Sequence, residues 1–276
     1  MTAGDAPKCD GLGVSDKVLV AVQCKREEVD FMRGLRLRGL RSGLLFLALF
    51  VTVAWPPAGG QQSNAVKTDI ARVNASSSFS GNPTANEIVL RMLAENDLRS
   101  SRLQRYSVTR TYQLRNLEGN VAAQDIVRME YRAPGVKTFE KSSEKGSGIV
   151  RHLVFDRLMD SESESASGKD RRDSALTPEN YEFRFGGEED LGAYHCFVLQ
   201  VVPKRKDKYL FEGRIWIESH DFGIAKIDGR PANKISFWIN RVEFVRQYQK
   251  VDEFWLPLRD ETQVDVKLYG RKILII

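Results

Sequence analysis

Cysteine is scarce in this chain: three in 276 residues, Cys9, Cys24 and Cys196, with only the last beyond residue 60. One cysteine cannot close an internal disulfide, so no covalent staple is expected in the body of the protein. Histidine is equally thin, at His152, His195 and His220. None has a second ligand at helical spacing, and no C-x-x-C or H-E-x-x-H occurs. No metal site and no cofactor is expected. The motifs of covalent and phosphoryl chemistry are missing too, with no G-x-S-x-G, no P-loop and no G-x-G-x-x-G. His195 and Cys196 are neighbours on one strand, so their side chains point to opposite faces and cannot form a dyad with each other. The expectation is a protein that is not an enzyme. A strong charge of one sign is also lacking, since 42 basic residues face 37 acidic ones for a net +5. That field is too weak to argue for nucleic acid.

Long apolar runs are missing with one exception. Leu44 to Trp55 is apolar over twelve residues, short of the roughly 20 a bilayer-spanning helix needs. Arg33, Arg36, Arg38 and Arg41 precede it, and Pro56, Pro57, Ala58, Gly59 and Gly60 follow. That order is the basic, apolar and small-residue sequence of a secretory signal, with an uncleaved anchor or a core helix as the alternatives. Met32 stands just before the arginines, so residues 1–31 read as an upstream segment outside the translated or folded protein. Residues 32–60 then form the signal, 61–82 a polar leader and 83–276 the folded domain. No cysteine sits at the cleavage region to carry a lipid anchor.

The folded part begins with a helix. Thr84 and Glu87 have capping-box spacing, and Ile88, Val89, Met92 and Leu93 form one apolar stripe. At residue 103 the period changes to two: Tyr106, Val108, Arg110, Tyr112 and Leu114 alternate with polar residues. Arg110 interrupts the apolar face and must snorkel, meet a carboxylate or bind helix backbone. Turn residues 116–120 lead to a returning strand at 122–131, and 136–141 suggests a third. Ile149 to Met159 has helical spacing, and 160–173, rich in serine and acid, reads as a solvated loop. From residue 181 the pattern is almost all strand. About ten strands and two or three helices predict an α+β fold, a curved antiparallel sheet with helices on its concave side. Lys204, Arg205, Lys206 and Lys208 form a basic turn, either a plain hairpin tip or a docking patch for an anionic surface. Trp216, Trp238 and Trp255 serve either sheet packing or an apolar cavity.

The stretches Cys196–Lys204 (CFVLQVVPK), Gly213–Ile217 (GRIWI), Phe222–Ile227 (FGIAKI), Ser236–Ile239 (SFWI) and Phe254–Pro257 (FWLP), with Tyr248 between the last two, resemble the outer-membrane lipoprotein-sorting, LolA/LolB-like, family. The resemblance implies an incomplete β-barrel with helices as a lid, and a periplasmic, non-enzymatic monomer. Such a protein carries lipid or lipoprotein acyl chains in an apolar cavity toward the outer membrane, touching membranes or membrane proteins only transiently. On that reading Tyr106, Val108, Tyr112, Leu114, Trp216 and Trp238 form the cavity wall. Ile88, Met92 and Leu93 form the lid, Arg110 its latch, and Lys204, Arg205, Lys206 and Lys208 a docking patch. The competing expectation is a periplasmic sensor module that binds a lipid or a protein partner in envelope-stress signalling.

Overall fold

The computed structural model describes residues 83–164, 174–207, 209–234, 237, 239–268 and 270–276. The upstream segment, the signal, the leader, Trp238 and Lys208 lie outside the described residues. Helix α1 spans Ala85–Arg102. Its start is fixed as the sequence predicts: Thr84 Oγ1 accepts from the Glu87 amide at 3.3 Å, and the Thr84 amide donates to Glu87 Oε2 at 2.8 Å. Three strands follow, β1 (Arg105–Asn116), β2 (Val121–Arg132) and β3 (Val136–Gly146).

The second helical segment is longer than the sequence suggests. It runs through α2 (Gly148–Val150), a π-helical turn (Arg151–Asp156) and α3 (Arg157–Glu164). The expected solvated loop at 160–173 is therefore helix as far as Glu164. Its serines and acids hide one inward-facing carboxylate, described below. Then come β4 (Tyr181–Leu191), β5 (Tyr194–Pro203), β6 (Phe211–Glu218), β7 (Ile224–Pro231), β8 (Ile239–Val251), β9 (Phe254–Val266) and β10 (Gly270–Ile275).

All ten strands join one antiparallel sheet, in the order β3-β2-β1-β10-β9-β8-β7-β6-β5-β4. The edges β3 and β4 do not pair with each other, so the barrel stays open. Register shifts at Leu114/Arg115, Ile126/Val127, Phe185/Gly187, Trp216/Ile217 and Gln247/Tyr248 bend the strands and curl the sheet.

Two cores share the concave face. Under α1, Ile88, Val89 and Met92 pack on Leu199, Val201, Phe211, Ile215, Ile217 and Phe244. Under the second helical segment, Val154, Phe155 and Leu158 pack on Tyr112, Leu114, Val127, Val242 and Val264. Strand β8 runs beneath both helices, giving Val242 to one cluster and Phe244 to the other. Residues 242 and 244 point to the same face, so both helices lie on the same side of the sheet.

Candidate functional site

On β1, alternation sends Tyr106, Val108, Arg110, Tyr112 and Leu114 to the concave face. Their surroundings then diverge. Tyr112 and Leu114 are buried beneath the second helical segment, with the Tyr112 ring 5.8 Å from Phe155. They are packed core here. Burial pushes the Tyr112 phenol up to about 12. Val108 is half-buried.

Tyr106 lies near the start of the strand, beside Arg110. It stacks on Tyr131 at 5.3 Å and faces a cleft of about 70 Å³. Leu103, Tyr248, Trp255, Leu256 and Pro257 line the rest, and Asn96, Arg99 and Ser100 of α1 close the top. The wall is mostly aromatic and aliphatic, and its polar groups come mainly from the helix. The volume is well below the roughly 300 Å³ at which small-molecule pockets begin.

The helix end over this cleft is held by polar contacts. Arg99 Nη1 donates to the Asp221 carbonyl at 2.7 Å, and Arg99 Nη2 donates to Asn96 Oδ1 at 2.8 Å. Arg102 pairs with Glu253 at 2.8 Å in the open. Asp221 is a node of the β6–β7 turn. Its carboxylate accepts from Trp255 Nε1 at 3.0 Å, from the Gly223 amide at 3.0 Å and from Lys250 Nζ at 2.6 Å. Burial alone would raise this carboxyl, yet the donors Lys250, Gly223 and Trp255 pull it down to about 2. Gly223 is required by close approach, because a Cβ there would sit 1.9 Å from the Trp255 indole nitrogen.

Arg110 does meet a carboxylate. Its Nη1 reaches both oxygens of Glu162 on α3, at 3.1 and 2.9 Å, and Lys137 Nζ reaches Glu162 Oε1 at 2.8 Å. The side chains of Arg110, Lys137 and Glu162 are 9%, 8% and 12% exposed, so the triad ties α3 to β1 and β3 out of water. Burial works to raise the Glu162 carboxyl, but Arg110 and then Lys137 outweigh it and hold it below its ordinary value. The helix anchored by Arg110 is therefore α3, not the α1 lid of the sequence reading.

Trp216 is a correction. Its neighbours Ile215 and Ile217 face α1, whereas Trp216 packs with Cys196, Val198 and Ala225 on the opposite face of the sheet. There its Nε1 donates to Glu189 at 2.8 Å, and Arg214 and Lys226 lie over the ring at 4.9 and 4.3 Å. It cannot line a concave cavity. Of the expected lid residues, Ile88 and Met92 are fully buried against the sheet and Leu93 packs at the margin. Lys204, Arg205 and Lys206 are exposed on the β5–β6 turn, with Arg205 donating to Asn180 Oδ1 at 2.6 Å.

The histidines are spread over separate elements, His152 beside Asp156, His195 beside Asp190 and Glu188, and His220 beside Glu218. Among the described residues, no three His, Cys, Asp or Glu side chains converge as metal ligands. No described helix is long and apolar enough to cross a membrane.

Residues 174–275 match a family of unknown function, DUF5686. No curated protein matches the chain. Among solved structures, the chain is similar to a DUF1329 family protein from Desulfovibrio piger, with 13% identity, a TM-score of 0.37, and coverage of 70% of this chain and 91% of that one. It is similar also to a lipoprotein-sorting protein domain from Vibrio parahaemolyticus, described as outer-membrane, at 12% identity and TM-score 0.36 over 66% and 88% of the two chains. A LolA superfamily protein from Nitrosomonas europaea shares 11% identity at TM-score 0.33 over 70% and 91%. At these scores no residue role and no ligand passes from those proteins to this one.

Proposed function

We propose that this protein is an exported, non-catalytic carrier that binds lipid or lipoprotein acyl chains between α1 and the concave sheet. What carries the reading is the cleft at the end of α1. Its floor is aromatic and aliphatic, and the end of the helix over it is pinned by the Arg99 and Arg102 contacts, while the apolar stripe of α1 packs nearer the start of the helix. A cleft of about 70 Å³ holds no acyl chain, so α1 has to lift for loading. The energies allow this. Ile88, Val89 and Met92 each contribute about 1.5–3 kcal/mol by burial, and each buried CH₂ of a ligand contributes about 0.8 kcal/mol. A chain of about 12 carbons therefore contributes about as much as Ile88, Val89 and Met92 together. The secretory pattern at residues 32–60 supports action in the periplasm, as a single copy with transient contact to membranes.

The test is native purification from the producing cell, followed by lipid mass spectrometry and uptake of a fluorescent fatty acid. A stoichiometric acyl-chain ligand is expected, and Tyr106→Asp should lower uptake. A protein that purifies empty and takes up no fatty acid overturns the carrier reading in favour of a regulatory binding module.

A further inference from the structure

Consecutive antiparallel strands place their turns alternately at the two rims of the sheet. One rim carries the β1–β2 and β9–β10 turns, the β3–α2 link and the β5–β6 and β7–β8 loops. The pairings Asn116↔Lys272, Gly270↔Val266, Ile239↔Val266 and Gly146↔Ala123 bring these segments to a common end. The other rim carries the β2–β3, β4–β5, β6–β7 and β8–β9 turns and the mouth of the cleft.

The two rims differ in chemistry. Nine large apolar side chains stand exposed among the described residues, and five of them, Leu117, Val121, Ile149, Phe237 and Leu268, lie on the first rim. They include the three most exposed, Leu268 at 90%, Phe237 at 77% and Leu117 at 62%. Scattered exposed leucines are ordinary, but a cluster at one end is not. Leu268 also sits at the hairpin tip with φ 68°, where glycine or asparagine is the natural residue. Neither backbone conformation nor core packing accounts for a leucine there.

Charge follows the same division. Beside these side chains, the connecting segments of the first rim carry Lys204, Arg205, Lys206, Lys234 and Lys267 against Glu118 and Asp207. Lys267 Nζ lies 3.7 Å from the centre of the Phe237 ring, so base and aromatic meet across two turns. The turns of the opposite rim carry Asp221, Asp252 and Glu253, of which Asp221 pairs with Lys250 and Glu253 with Arg102, so that rim has no comparable basic surplus.

We infer that the rim holding Phe237 and Leu268 is a docking surface for an anionic lipid bilayer. Phe237, Leu268 and Leu117 enter the interface while Lys234, Lys267 and the 204–206 turn contact headgroups. The opposite rim then faces away from the membrane. The inference stands apart from the carrier reading, because it uses no residue of the cleft and its readout needs no bound ligand.

The test is co-sedimentation of the natively purified protein with two kinds of vesicle, phosphatidylethanolamine with phosphatidylglycerol, and phosphatidylcholine alone. Binding to the anionic vesicles that weakens with added salt is expected. Leu268→Asn suits the backbone at the tip, and combined with Phe237→Ser it should lower partitioning at least about tenfold. Lys234→Gln and Lys267→Gln should each lower it about fivefold on anionic vesicles. Circular dichroism identical to the parent shows that each variant is folded. Binding unchanged in the apolar double variant overturns the proposal, and so does failure to sediment with anionic vesicles. A dimer in sedimentation velocity that Leu268→Asn dissolves, without vesicle binding, overturns it in favour of a second copy as the occupant.

Discussion

Three buried charges set the behaviour of the second helical segment. Arg110 and Lys137 share Glu162, and removing the carboxylate leaves two buried cations facing each other. Glu162→Gln should therefore cost about 3–5 kcal/mol in urea unfolding, and Arg110→Met together with Glu162→Gln should recover part of it. The pH dependence follows from the sign of the shift. Glu162 is held below its ordinary value of 4.5, so its contribution is complete above that value and is lost as pH falls through the lower folded-state value. Urea midpoints of the parent and Glu162→Gln should differ at pH 7 and converge in acid. A gap that never narrows on acidification would show that the carboxylate is not what holds α3, since a lowered carboxyl loses its contribution as pH falls through its folded-state value.

For the element α1, the apolar stripe and the polar pins make separable predictions. Met92→Ala removes a fully buried side chain and should cost about 2–5 kcal/mol. Arg99→Ala cuts the bond to the Asp221 carbonyl and leaves the stripe intact. If α1 lifts for loading, it should favour the open state by about 1.5–3 kcal/mol and speed fatty-acid uptake about tenfold or more, read by stopped-flow fluorescence. Equal uptake rates would remove α1 as the gate. Gly223→Ala places a methyl group against the Trp255 indole and must displace it from the cleft wall. The Trp255 Nε1–H resonance should then move in a heteronuclear NMR spectrum, because its bond to Asp221 is lost with the ring position.

Among the described residues the molecule is an open curl of ten strands with two helical covers on one face, and one rim carries exposed apolar side chains beside a surplus of bases. Any ligand that binds only the folded state stabilises it by mass action. An acyl chain at about 100 times its Kd contributes about 2.7 kcal/mol, which for a domain of this size raises Tm by about 5–10 °C. Thermal scans with and without fatty acid measure this directly, and no shift at saturating concentration would contradict binding between α1 and the sheet. On the docking proposal the basic rim meets the bilayer and the cleft lies at the far rim, so loading and membrane contact would be distinct events.

Much of this architecture was legible in the amino-acid order. The Thr84–Glu87 box and the stripe from Ile88 to Leu93 mark α1, and the period of two along 105–116 and later strands marks the antiparallel sheet, because local hydrogen bonding and one-sided burial leave a periodic trace. The sequence also flagged Arg110 as a charge in need of a partner. It could not name Glu162, since a run of serines and acids carries no periodic sign of which carboxylate turns inward. Trp216 was misplaced for a related reason: Ile215 and Ile217 beside it are equally apolar, so a strand covered on both faces does not reveal which face is concave. The cleft draws Arg99, Tyr106, Tyr131, Tyr248 and Trp255 from five separate elements. Period, caps and turn chemistry are local properties, and the sequence by itself determined those. Which side chains meet across the curled sheet depends on the curvature and on where the two helices land, and only the tertiary structure decided that.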